Sequence, residues 1–142
     1  MGYSHAMIEI NNLTTNQVDE DFLKKITKIV LENEKKSESD LSIALVGQGR
    51  MRELNKKYRG KNRVTDVLSF SGNGLGEIVI CLREVKKNAK RFNSTFKKEL
   101  ATCLIHGILH LLGYDHEISE EKARLMEKKQ NYYLKLCQEA IL

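Results

Sequence analysis

The stretch HGILHLLGYDH, residues 106–116, contains three of the four histidines in the chain. Residues four apart share one face of a helix, so His106 and His110 can direct their imidazole rings at a single point. Glycine readily adopts the left-handed conformation that ends a helix, so Gly113 lets the chain turn back and present His116 to the same point. Imidazole nitrogens bind zinc at about 2.0 to 2.1 Å. Because the three rings can be directed at one point, the spacing predicts one Zn²⁺ ion held by His106, His110 and His116.

Three histidine ligands leave one tetrahedral position for water, and they cancel none of the charge of the metal. These conditions lower the pKa of bound water to about 7, so we predict a catalytic site with His110 among its catalytic residues. A structural zinc site would use a fourth protein ligand, commonly cysteine, but Cys81, Cys103 and Cys137 do not stand at ligand spacing. We expect these thiols to be reduced and mostly buried. The alternatives are histidines that only pack in the core and a metal that only stabilises the fold.

The predicted helix that carries His106 and His110 has two different faces. At 100° per residue, Glu99 falls on the histidine side of the helix, whereas Leu104 and Ile108 fall on the opposite side. One face therefore packs in the core, and the other lines a site. Carboxylates that accept the second ring N–H of a histidine ligand fix its tautomer, which makes Glu99, Asp115 and Glu117 candidates for that role. Alternatively, Glu99 only complements the helix dipole, and Asp115 only caps the turn.

One position separates this stretch from a known peptidase pattern. The spacing matches the metzincin pattern H-E-x-x-H-x-x-G-x-x-H, except that Gly107 stands where those peptidases carry a glutamate base. Peptide hydrolysis needs a proton for its amine leaving group, so losing the carboxylate is serious for a protease. A phosphodiester substrate asks mainly for charge neutralisation and positioning. The glycine therefore favours phosphate chemistry, with a zinc metallopeptidase that lacks the usual glutamate as the alternative.

The charge distribution favours the same substrate class. The chain has 24 basic and 19 acidic residues, and its basic residues cluster in two segments. Residues 50–67 contain seven basic and two acidic side chains, and residues 83–98 contain seven basic and one acidic. Such segregation is typical of a surface that binds a polyanion, although solvated helix faces carry lysines too. Since only 6% of the residues are aromatic, we expect nucleic-acid binding that rests mainly on phosphate contacts and depends on salt.

The length of 142 residues and the 41% content of hydrophobic residues predict a single domain over residues 7–142. Residues 1–6 resemble an expression scar ahead of Met7. No apolar run approaches the ~20 residues that span a bilayer, and no secretory signal is evident. We therefore expect a cytoplasmic protein without membrane contact.

Hydrophobic periodicity and turn residues predict the element order β-α-β-α-β-β-α-α-α. The predicted strands are Met7–Ile10, Leu41–Val46, Asp66–Phe70 and Glu77–Leu82, the last two joined as an antiparallel hairpin through residues 71–74. The predicted helices are Asn16–Lys36, Gly49–Arg59, Arg83–Arg91, Phe96–Leu112 and a last helix that starts at Ser119. This order is typical of an α+β domain, a small mixed sheet packed by helices.

Three segments together carry a family resemblance. NKKYRGKNRVTDVLSF at 55–70, GEIVI at 76–80 and the histidine stretch at 106–116 closely resemble the YbeY family of bacterial rRNA-maturation endoribonucleases. The likeness covers most of the chain beyond Met7. It implies a zincin-like fold with the metal site at the end of a central apolar helix. It also implies a metal-dependent, single-strand-specific endoribonuclease in 16S rRNA 3′-end maturation and ribosome quality control, with rRNA and the 30S subunit as partners.

The resemblance also assigns individual residues. His106, His110 and His116 match the metal ligands of the family, and Arg59 matches its functionally important arginine. The planar fork of an arginine suits bidentate phosphate binding, although Arg59 could also be a surface charge at a helix end. Val64 stands where the family usually has proline. Proline fixes the backbone angle φ, so this loop lacks one source of rigidity that the family usually has.

Two questions stay open at the level of the sequence. Attack by hydroxide generated at the zinc ion and attack by the ribose 2′-OH both fit the residues. A non-enzymatic ribosome-assembly factor with a structural metal is the alternative from another functional class.

Overall fold

Ten helices and strands follow one another in the part of the chain that the computed structural model describes, residues 7–114 and 119–142. The strands are β1 (Ile8–Asn12), β2 (Leu41–Val46), β3 (Val67–Phe70) and β4 (Gly76–Cys81). The helices are α1 (Glu20–Asn33), α2 (Gln48–Arg59), α3 (Leu82–Arg91), α4 (Phe96–Leu111), α5 (Glu120–Leu136) and α6 (Gln138–Ile141). The predicted α+β class is confirmed. No helix among these residues is long and apolar enough to cross a membrane.

The four strands form one mixed sheet in the order β1-β2-β4-β3. β1, β2 and β4 run parallel, whereas β3 runs antiparallel to β4 and forms one edge of the sheet. The predicted hairpin is confirmed, with Val67 opposite Ile80 and Phe70 opposite Glu77. As a result, the chain that leads from α2 into β3 runs along an edge of the sheet.

The central strand β2 is covered on both faces, which explains why it reads as the continuous run LSIALV. Alternate residues of a strand point to opposite faces. Leu41, Ile43 and Leu45 belong to the larger core, which includes residues of α1 and α4. Ala44 and Val46 belong to a smaller core that includes Met51 of α2. The two cores place α4 and α2 on opposite sides of the sheet.

Helix α4 is the central apolar helix. The Thr95 hydroxyl accepts a hydrogen bond from the Lys98 amide at 3.1 Å and caps its start. Its buried residues include Leu100, Leu104 and Ile108. Helix α4 contacts α1, α3, α5, β3 and β4, so its position is determined from several sides.

The largest differences from the predicted boundaries occur in α1, in β1 and in the last helix, and the other boundaries agree within one residue. α1 is shorter than Asn16–Lys36, because the Asp19 carboxylate caps its start by accepting from the Phe22 amide, and Lys35 has a positive φ of 60°. The predicted strand at Met7–Ile10 extends to Asn12. The last helix is interrupted at Cys137, although its apolar spacing continues beyond that residue.

Candidate active site

An open cleft of about 490 Å³ brings together residues from five elements, α2, β3, α3, α4 and α5. Arg59 comes from the end of α2, Ser69 from β3, and Gln130 from α5. His106 and His110 come from α4. Three of the residues predicted from the sequence therefore line one concave surface.

The rings of His106 and His110 lie next to each other on one face of α4. The ring centroids of His106 and His110 lie 5.4 Å apart, and the ring planes are inclined by 60°. Two imidazoles bound to one tetrahedral zinc ion, with bonds of about 2.0 to 2.1 Å, have centroids roughly 5 Å apart. The measured separation matches that value, so this part of the predicted ligand set fits a zinc ion.

A hydrogen bond orients one of the two rings. His106 Nδ1 lies 2.9 Å from Oε1 of Gln130. The amide oxygen can only accept, so the contact requires the tautomer in which Nδ1 carries the proton and donates it. That tautomer leaves the lone pair on Nε2, the nitrogen that would bind a metal. Gln130, and not Glu99, is therefore the residue that contacts the second ring nitrogen of His106, although Glu99 also lines the cleft.

The third predicted ligand, His116, lies outside the described residues, as do the candidates Asp115 and Glu117. Within residues 7–114 and 119–142, no group of three or more His, Cys, Asp and Glu side chains is arranged to hold a metal. The described chain approaches residue 115 through Gly113, which has a φ of 101° and ends α4 in the left-handed conformation that was predicted. The assignment of His116 as a ligand stays a prediction.

Arg59 reaches from the end of α2 to the edge of the sheet. Its Nη2 donates a hydrogen bond to the carbonyl oxygen of Ser69 at 3.1 Å. The Ser69 hydroxyl in turn donates to the carbonyl oxygen of Gly107 at 3.1 Å. One residue of β3 therefore connects the arginine to the helical turn that carries both histidines. Because one guanidinium can donate five hydrogen bonds, Arg59 retains donors for an anion in the cleft.

Gly107, which stands where metzincins carry a glutamate, faces the sheet. A Cβ atom added to Gly107 would lie 2.9 Å from Cγ2 of Ile78 and 3.2 Å from Oγ of Ser69. A glutamate at this position would have to displace both side chains. The glycine permits the close approach of α4 to β3 and β4, so the fold itself disfavours the base that a metallopeptidase would need.

A second polar group lies in the cleft beside the histidines. Asp66 Oδ2 accepts a hydrogen bond from the Asn88 amide at 3.2 Å and one from the Cys103 thiol at 3.4 Å. Burial, followed by the charge of Asp66, raises the pKa of the Cys103 thiol far above its ordinary value. Cys103 is therefore a neutral donor and not a nucleophile. All three cysteines are free and buried, as expected.

Three of the basic residues predicted to bind an anion, all from segment 50–67, lie at this cleft. Lys61 and Arg63, in the loop after α2, line it together with Arg59. The Asn55 amide donates to the Arg63 carbonyl at 3.0 Å and ties this loop back to α2. Three cationic side chains therefore border the surface that carries the histidines.

Sequence reasoning missed the residues that support the site from a distance. Gln130 is 24 residues beyond the histidine that it contacts, and Ser69 is 38 residues before Gly107. No local spacing indicates either pairing. The apolar pattern of α5 could have shown only that one of its faces packs against the fold.

Comparison with known proteins gives consistent matches. The endoribonuclease YbeY family profile matches residues 8–138. The endoribonuclease YbeY of Thermodesulfovibrio yellowstonii is 50% identical over 119 residues, 78% of this chain and 74% of that protein. The endoribonuclease YbeY of Thermotoga maritima is 42% identical over 120 residues, 81% of this chain and 77% of that protein. The solution structure of TM1509 from Thermotoga maritima matches with a TM-score of 0.66 and 35% identity, covering 95% of this chain and 89% of that one. The structural match confirms the expected fold.

Proposed function

Because this chain belongs to the endoribonuclease YbeY family and is an endoribonuclease, we propose that it cleaves single-stranded RNA with one Zn²⁺ ion held by His106, His110 and His116. Membership of this family excludes the non-enzymatic alternative. The observation that carries the proposal is the pair of imidazole rings, 5.4 Å apart, in a cleft that also contains Arg59.

Two described residues of the cleft, Gln130 and Arg59, have roles that follow from their contacts. A bound Zn²⁺ ion supplies positive charge and Lewis acidity at the scissile phosphate. Gln130 holds His106 in the tautomer that leaves Nε2 unprotonated. Arg59, oriented by the Ser69 carbonyl, donates to the phosphate oxygens and neutralises charge that develops on them.

The cleft also supports the proposed preference for a single strand. Its volume of about 490 Å³ is in the range of pockets that hold one small molecule, which suits one or two nucleotides but not a duplex. Lys61 and Arg63 supply attraction for the neighbouring phosphates. Binding should therefore weaken steeply as salt is added.

We further propose that the biological substrate is the 3′ end of 16S rRNA within the 30S subunit, in the cytoplasm. The family resemblance and the net charge of +5 support this proposal. In bacteria that lack their own YbeY protein, this chain should restore mature 16S 3′ ends, and the His110→Ala variant should not. Equal processing with both proteins would contradict the proposal.

The direct test is an incubation of nuclease-free, zinc-loaded protein with labelled single-stranded and double-stranded RNA. We expect cleavage of the single strand only, with loss of activity after chelation and in His110→Ala. Equal cleavage in both controls would assign the activity to a contaminant. Cleavage that survives chelation but not His110→Ala would show a reaction that does not need the metal.

Analysis of the product ends distinguishes the two nucleophiles. A 2′,3′-cyclic phosphate results from attack by the ribose 2′-OH, whereas attack by hydroxide leaves a terminal phosphate monoester. RNA with a single 2′-deoxy nucleotide at the cleavage site provides the matched control. Such a substrate cannot be cleaved by attack of the ribose 2′-OH, but it can still be cleaved by attack of hydroxide.

A further inference from the structure

One aromatic side chain lies in the cleft without a packing role in the described structure. Phe92 is 60% exposed and lines the same cleft as Arg59 and the two histidines. It is not among the side chains that pack against either hydrophobic core. Among the large hydrophobic side chains that are exposed in residues 7–114 and 119–142, Phe92 alone lines this cleft.

The backbone holds Phe92 in a defined position. Its amide caps the end of α3 by donating to the Asn88 carbonyl at 2.9 Å. The next residue, Asn93, has a φ of 51°, and the Ser94 amide donates to the Ala89 carbonyl at 2.8 Å. The ring is therefore presented from a closed turn and not from a loose loop.

The surroundings of the ring are basic. The guanidinium carbon of Arg91 lies 5.5 Å from the Phe92 ring centroid, within the range of a cation–π contact. Phe92 also belongs to the segment 83–98, which has seven basic side chains and one acidic. A cationic surface with an exposed aromatic ring is the combination that binds single-stranded nucleic acid, because phosphates pair with the cations while a base stacks on the ring.

We propose that Phe92 is a stacking platform for one base of the RNA strand that enters the cleft, and that it determines the selectivity for single strands. This inference rests on the proposed function, since it concerns the same cleft and substrate. In a duplex, each base is covered by its stacked neighbours and paired at its edge. An unpaired base can offer its face to Phe92, so the ring favours single strands without reading their sequence.

The test measures RNA binding without metal, so a failure of the zinc proposal does not affect it. Fluorescence anisotropy of a labelled single-stranded oligonucleotide is recorded with the full chain in excess chelator. Phe92→Ala should weaken binding about tenfold, and Phe92→Trp should bind as tightly as the wild type. The slope of log Kd against log salt should not change in Phe92→Ala, because no phosphate contact is removed.

Two controls identify the cause of the loss. Tyr132→Ala removes an aromatic side chain of similar exposure, 52%, from outside the cleft and should leave binding unchanged. A series of oligonucleotides carries one abasic site, each at a different position. At one of these positions, removal of the base should weaken binding to the wild type but should not weaken binding to Phe92→Ala any further. Thermal unfolding should show that Phe92→Ala folds as the wild type does.

Three results would overturn the proposal. One is tight binding of the single strand by Phe92→Ala. Another is wild-type affinity in Phe92→Leu, which would mean that any apolar side chain suffices. The third is an equal loss of affinity for duplex RNA in Phe92→Ala, which would remove the link to strand selectivity.

Discussion

Two carboxylates, Glu34 at the end of α1 and Asp66 in the cleft, have donors of very different strength. Glu34 accepts hydrogen bonds from the Tyr114 hydroxyl at 2.8 Å, from the Lys129 ammonium at 3.0 Å and from the Tyr133 hydroxyl. These four residues, the Glu34 cluster, connect α1 to α5 and to the end of the chain segment before residue 115. A carboxylate with a charged donor and two hydroxyl donors is well suited to stabilise the fold.

Asp66 instead accepts from the Asn88 amide at 3.2 Å, from the Cys103 thiol at 3.4 Å and from the Thr65 hydroxyl at 3.4 Å. All three donors are uncharged, and the thiol is a weak one. The strong, mutually satisfied contacts of Glu34 therefore occur where α1, α5 and Tyr114 must be held together. Asp66 has the same number of donors, but they are uncharged and their hydrogen bonds are longer, so its contacts contribute less to stability. We therefore expect changes in the Glu34 cluster to affect stability and changes in the cleft to affect activity.

The largest expected effect is a loss of activity without a loss of stability. His110→Ala should reduce RNA cleavage at least ~100-fold, because it removes a predicted metal ligand. Its free energy of unfolding, measured without metal, should change by less than about 1 kcal/mol. Tyr133→Phe in the Glu34 cluster should have the opposite effect. It should lower the free energy of unfolding and leave RNA cleavage at 25 °C as in the wild type. A hundredfold loss of cleavage in Tyr133→Phe would erase the distinction between the two regions.

A smaller loss of activity is expected from the arginine of the cleft. Arg59→Lys should lower kcat about 10- to 100-fold, because an ammonium cannot contact the Ser69 carbonyl and two phosphate oxygens with the same geometry. Arg50→Lys, on the same helix but paired with Glu53 at 3.1 Å outside the cleft, is the control and should cleave normally. Full activity in Arg59→Lys would mean that only the positive charge matters.

The hydrogen bond between His106 and Gln130 should affect the affinity for zinc. Gln130→Leu should weaken zinc binding about tenfold, because Nδ1 of His106 loses the acceptor that fixes its tautomer. Competition with a fluorescent zinc chelator measures this change directly. Gln138→Leu, an exposed glutamine on α6, should bind zinc as the wild type does. Unchanged affinity in Gln130→Leu would show that the contact is incidental to metal binding.

The Glu34 cluster should respond to pH in a predictable direction. Burial raises the pKa of Glu34, but the hydrogen bonds from Tyr133, Tyr114 and Lys129 outweigh it and hold the pKa below its ordinary value. The unfolded chain therefore binds the proton more tightly than the folded chain. The stability that Glu34 contributes is fully present above about pH 4.3, the ordinary pKa of glutamate, and is lost as the pH falls through the lower folded pKa.

Glu34→Gln should accordingly cost about 1 kcal/mol of unfolding free energy at pH 7. Urea denaturation at a series of pH values should show the difference from the wild type shrinking as the pH falls below 4.3. Glu32→Gln, on the exposed side of the same helix, is the control and should show little change at either pH. A difference that grows in acid would contradict the assigned direction of the pKa.

The local parts of the fold and site could be predicted from the sequence. The caps at Thr95 and Ser119, the hairpin between β3 and β4, and the end of α4 before Gly113 all depend on residues close together in the chain. The ends of α1 and the break at Cys137 were predicted less well. Apolar spacing continues through those points, and only backbone conformation and packing decide where the helix stops.

By itself, the sequence determined that His106 and His110 share one face of a helix, because the pitch of a helix is a property of a few consecutive residues. Only the tertiary structure decided that Gln130 orients His106, that Ser69 connects Arg59 to the turn of the histidines, and that Phe92 lies in the same cleft. These contacts join residues that are 10 to 38 positions apart or lie on different elements. They exist because the packing of α4 against the sheet brings separate elements together, and no short-range spacing encodes that packing.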